Sequence, residues 1–88
     1  MELKIFLDEN NKITLCLCEG EAIMAQDSWG DSRGLDMKLL PAIDRITKSV
    51  NIKITGIDKI DFSSKSPSFM ANLICGVVVD NLRFAKNL

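Results

Sequence analysis

Asp8 ends the first alternating run of the chain, Asp61 lies in a later one, and Asp36 and Asp44 fall between them in a helical stretch. Carboxylates converging from two strand ends and a helix would suit a metal-dependent nuclease, whose divalent ions stabilise the attacking and leaving oxygens of a phosphodiester. A helical Glu for such a set is missing, and carboxylates at strand ends commonly serve turns and solubility instead. Cys16-x-Cys18 is the next candidate. Its side chains share one face of a strand, where neighbours two apart rarely bridge, and no second pair completes a zinc site. The last is Ser63-Ser64-Lys65-Ser66, before a helix start whose free N–H groups would suit a phosphate. It lacks the glycines that let backbone approach a nucleotide, and serines there more often cap the helix.

The composition narrows the chemistry further. The chain contains no histidine and no tyrosine. Ser–His and Cys–His nucleophiles, histidine metal ligands and histidine acid–base catalysis are thereby excluded. Net charge is −1 with both signs interspersed, so no basic stripe marks a nucleic-acid surface. Cys16, Cys18 and Cys75 are odd in number and form no framework, as expected of reduced thiols in a cytoplasmic protein. Met1-Glu2-Leu3-Lys4 has none of the character of a signal peptide, and no apolar run approaches a membrane span. No cofactor, metal or catalytic centre is expected.

Eighty-eight residues, 47% of them hydrophobic, fit one globular domain. Such a chain buries roughly 60–65% of its unfolded surface, so its stability margin is thin. Leu3, Ile5 and Leu7 alternate with Lys4, Phe6 and Asp8; Ile13, Leu15 and Leu17 alternate with Thr14, Cys16 and Cys18. Glu9-Asn10-Asn11 and Glu19-Gly20-Glu21 are turns, and residues 22–28 read as a weaker third strand. These runs predict an antiparallel meander. Ser28 to Gly34 reads as a loop, with Trp29 either covering the core edge or anchoring a partner.

From Leu35 the period becomes helical, with Leu35, Leu39, Ile43, Ile46 and Val50 on one stripe. Asp36 is a candidate N-cap, in competition with Asp31 and Ser32, and Pro41 removes a helical bond to residue 37. Asn51 to Gly56 connects to a fourth strand over residues 58–63, which the helical crossover makes parallel to an earlier one. Ser66 and Pro67 form a helix-start signature, as N-cap and first helical residue. The order is β-β-β-α-β-α.

The last helix, running to about residue 86, carries more apolar surface than a sheet requires. Phe69, Met70, Leu73, Ile74, Val77, Val78, Leu82, Phe84 and Ala85 cover an arc of roughly 200°, about twice what one packed face uses. The surplus predicts an interface, unless the first helix covers it. Its expected contact stripe is Phe69, Met70, Leu73, Ile74, Val77 and Val78, shared between core and partner. Ala71, Cys75 and Gly76 leave room for close backbone approach.

These features resemble the N-terminal half of the TsaB (YeaZ) family. Residues 3–8 are similar to that family's opening strand, and Leu39-Leu40-Pro41-Ala42-Ile43-Asp44 to its Leu-Leu-Pro-x-Ile-Asp stretch, which tolerates the helical proline. Residues 65–75 fall on its Gly-Pro-Gly-Ser-Phe-Thr-Gly-Leu-Arg-Ile-Gly, with Ser68, Phe69 and Ile74 retained. The four glycines are replaced by Lys65, Pro67, Ala71 and Cys75, and the arginine by Leu73. The likeness covers nearly the whole chain and half of the family's length. It implies an α/β fold: a single RNase H-like domain, half of an ASKHA protein, with a mixed four-stranded sheet. It also implies a non-catalytic scaffold that pairs through its helices with a TsaD-like subunit, or with a second copy of itself, in making threonylcarbamoyladenosine in tRNA. An RNase H-like metal-dependent nuclease is the alternative of another class, and a stand-alone homodimer with a different partner is a third.

Overall fold

The computed structural model describes residues 1–30, 35–52 and 56–86, with the backbone alone at 35, 36, 85 and 86. The proposed caps Asp31 and Ser32, the side chains of Leu35, Asp36 and Ala85, and the middle of the 51–56 connection lie outside the described residues, whereas the backbone of Asp36 falls inside the first helix instead of capping it.

Alternation drives the sheet. Strands β1 (Glu2–Leu7), β2 (Ile13–Glu19) and β3 (Ala22–Trp29) form the antiparallel meander. Strand β4 (Lys59–Ser64) pairs parallel with β1, as the crossover through a helix requires, and gives the order β3-β2-β1-β4. Leu3 opposes Leu17 and Ile60, and Ile5 opposes Leu15 and Phe62, so the apolar sets of three strands meet on one face. Leu3, Ile5, Leu7, Ile13, Leu15 and Leu17 are essentially inaccessible to solvent. Burying each such side chain stabilises the fold by about 1.5–3 kcal/mol. On the opposite face Lys4 and Gln26 are exposed and Phe6, Thr14 and Cys16 half-buried.

The turns follow from their side chains. Asp8 Oδ1 accepts the backbone N–H groups of Asn10 and Lys12, both at 2.8 Å, and Asn11 takes a positive φ of 64°. Asp8 is thus a turn former, at the end of β1 rather than inside it. Gly20, with φ 61°, occupies the β2–β3 hairpin at a conformation that a side chain would strain. A register shift between Leu17 and Cys18 marks a β-bulge that accommodates Met24.

Helix α1 (Leu35–Ser49) lays Leu39, Ala42, Ile43 and Ile46 on the apolar face of the sheet, and Pro41 sits within it on the exposed side. There the carbonyl that proline leaves without a helical donor lies beside solvent. The helix ends in a Schellman arrangement: Ile52 N–H donates to Thr47 O at 3.1 Å and Asn51 N–H to Lys48 O at 3.1 Å. Asn51 supplies the left-handed residue, with φ 57°. Helix α2 (Phe69–Lys86) packs against α1 and β4. Its cap differs from the sequence expectation. Ser68, not Ser66, is the N-cap, with its Oγ accepting the Ala71 N–H at 3.2 Å. Pro67 therefore precedes the cap instead of opening the helix.

Candidate interaction surface

Helix α2 meets the core along Ala71, Cys75 and Val79, with Ile74, Val78 and Leu82 half-buried beside them. Arg83 fixes the rotation of the helix: its Nε donates to Ile60 O at 3.1 Å, and its Nη2 reaches the same carbonyl. That bond turns one flank of α2 toward β4, the edge strand. At about 100° per residue the side opposite Ala71, Cys75 and Val79 then carries Phe69, Met70, Leu73 and Val77. These are 79%, 63%, 47% and 49% exposed, so they form an apolar stripe that nothing in the described chain covers. Phe84 extends it toward the end of the helix, and Met37 and Leu40 of α1 are also exposed.

The expected contact stripe therefore divides. Phe69, Met70, Leu73 and Val77 face outward, whereas Ile74 and Val78 pack against the core. The first helix does not cover the surplus. Ala71 and Cys75, read in the sequence as room for a partner's backbone, face the sheet instead, and Val79 is a core residue that the sequence reading passed over. The missed signal was position: Val79 follows Ala71 and Cys75 at intervals of four.

Among the described side chains, which do not include that of Asp36, the candidate carboxylates do not converge. Asp8 is engaged in its turn, and Asp61 lies opposite Lys4, several positions back from the strand ends where Leu7 pairs with Ser64. Asp44 is exposed on α1 and paired with Lys48 at 2.9 Å. Asp61 pairs with Lys59 at 3.6 Å, and its hydrogen bond with Glu2 together with the Lys59 and Arg83 charges holds its carboxyl below the usual range. Among the described residues no group of three or more His, Cys, Asp or Glu side chains could hold a metal ion.

The start of α2 is occupied by its own serines. Ser64 Oγ accepts the Ser66 N–H at 3.1 Å, and Ser66 Oγ accepts the Ser68 N–H at 3.0 Å while donating to Asn11 Oδ1. Asn72 Nδ2 donates to the Ser66 and Ser68 carbonyls at 3.0 and 2.8 Å. The N–H groups of Ser66, Ser68 and Ala71 that a phosphate would use are already taken. Cys16 and Cys18 Sγ atoms lie 3.2 Å apart as free thiols, and burial pushes the Cys16 thiol up, with Cys18 adding to it. Trp29 is not in a loop: it ends β3, opposite Ile13, half-buried against the core. Among the described residues no helix is long and apolar enough to cross a membrane.

No family model matches the sequence. No curated protein is significantly similar to it either. Solved structures do share its fold. YeaZ from Pseudomonas aeruginosa superposes with a TM-score of 0.81 at 20% identity, over 99% of this chain and 41% of that one. An uncharacterized protein with similarity to peptidase YeaZ, from the same organism, does so with a TM-score of 0.80 at 20% identity, over 99% and 40%. The chain thus has the RNase H-like fold of YeaZ and spans about two fifths of the length of these structures.

Proposed function

We propose that this chain is a non-catalytic scaffold of the TsaB kind, which pairs through α2 with a TsaD-like subunit in the cytoplasmic synthesis of threonylcarbamoyladenosine in tRNA. The observation that carries the reading is the uncovered stripe of Phe69, Met70, Leu73 and Val77 on a helix whose other side is committed to the core. An apolar strip of this size on a small domain is the usual mark of a protein interface, with large side chains as anchors. The shared fold with YeaZ supports the choice of partner. Pairing needs no reactive group from this chain: a rigid helix is enough to hold another subunit in a working arrangement.

The test is size-exclusion chromatography with light scattering, on the chain alone and mixed with the TsaD-like protein of the same source. A heterocomplex that Leu73→Glu dissolves supports the proposal. A homodimer indifferent to the TsaD-like protein replaces the partner with a second copy. A monomer in both runs overturns the interface.

A further inference from the structure

A second feature lies on the other edge of the molecule, between the end of β3 and the first turns of α1. It is a cleft of about 410 Å³, which is within the range that holds small ligands. Trp29, Met37, Pro41 and Ala42 make its apolar wall. Two cations, Lys38 and Arg45, stand at the same cleft against one carboxylate, Asp27. That carboxylate is already engaged by Arg45 Nη2 at 2.6 Å, and Lys38 has no ion pair among the described residues. Among the described lining residues the balance therefore favours an anion.

Trp29 adds an independent observation. Its Nε1 is buried and has no hydrogen-bond partner among the described residues. An unpaired buried N–H is unfavourable, because it has given up its bond to water and gained none in the fold. An indole in that condition loses no bond by turning toward an acceptor that enters beside it.

We propose that this cleft binds a small organic anion with a flat apolar body, its ring against Trp29, Met37 and Pro41 and its charge at Lys38 and Arg45. The site shares no residue with the α2 stripe and stands whether or not α2 pairs with a partner.

Trp29 is the chain's only tryptophan, so its indole N–H gives a single resonance in a nitrogen-15 correlation spectrum. The experiment titrates the labelled chain with naphthalene-2-carboxylate and, separately, with the neutral naphthalene-2-methanol. The expected result is a saturable shift of the indole resonance, with the carboxylate binding on the order of tenfold more tightly than the alcohol. Lys38→Glu, an exposed change that leaves the core intact, should abolish that preference while the alcohol still binds. An indole resonance unmoved at concentrations on the order of a millimolar overturns the site. So does equal affinity for anion and alcohol, or shifts confined to the amides of Phe69 to Val77.

Discussion

Arg45 Nη2 donates to Asp27 Oδ2 across 2.6 Å and so joins the outward flank of α1 to the edge strand β3. Asp27 occupies an inward-facing position, opposite Leu15, where the pattern of the sheet would place an apolar residue. A charge there keeps a third-party strand from docking on the β3 edge, and Arg45 compensates it. Both side chains retain contact with water, so the pair contributes little to stability. Arg45→Met should lower the unfolding free energy by less than about 1 kcal/mol, and the loss should shrink as salt is added. Urea unfolding at low and high ionic strength checks both.

The cap of α2 is a sharper target. Ser68→Ala removes the acceptor of the Ala71 N–H and should cost about 1 kcal/mol. Pro67→Ala, before the cap, should cost less than half of that. If the two effects come out reversed in urea unfolding, the helix starts at Pro67 and the cap is Ser66.

Burial separates residues of α2 that look alike in sequence. Val79→Ala opens a hole in the core and should cost about 2 kcal/mol, whereas Val77→Ala, on the exposed stripe, should stay within about 0.5 kcal/mol. Thermal unfolding of the two variants at a concentration that keeps the chain monomeric reads the difference directly.

Cys75 predicts an alkaline limb. Burial pushes its thiol from 9.0 up to about 11, so the folded chain holds the proton over a range in which the unfolded chain has released it. The folded state then binds more protons, and stability falls as pH rises from about 9 to about 11. Below that window the contribution is fully present. Cys75→Ala should flatten this limb in unfolding measured between pH 8 and 11, and native Cys75 should resist alkylation until denaturant is added.

Arg83 ties α2 to the edge strand through the Ile60 carbonyl. Arg83→Met keeps much of the stem and removes the bonds, and should cost about 1 kcal/mol while speeding exchange of the β4 amides. Exchange rates unchanged in β4 would show that the strand edge is held by packing alone.

Alternation made the meander legible in the sequence: Leu3, Ile5, Leu7, Ile13, Leu15 and Leu17 specify a buried face whatever else the chain does, because the side-chain period of a strand is two. The change of period at Leu39, Ile43 and Ile46 made α1 legible for the same reason, and the crossover made β4 parallel. The width of the apolar arc on α2 announced a surplus. Its division did not follow from periodicity, because an arc of roughly 200° has no preferred centre. Only the tertiary structure decided that Ala71, Cys75 and Val79 point inward and Phe69, Met70, Leu73 and Val77 outward, and Arg83 with Ile60 is the contact that sets the rotation. Trp29 and Ser68 teach the same lesson at single residues. A tryptophan beside a glycine and a serine beside a proline fit several local states, and pairing with Ile13 and the Ala71 N–H selected one of them. Local chemistry set which elements form; long-range contacts set which way they face.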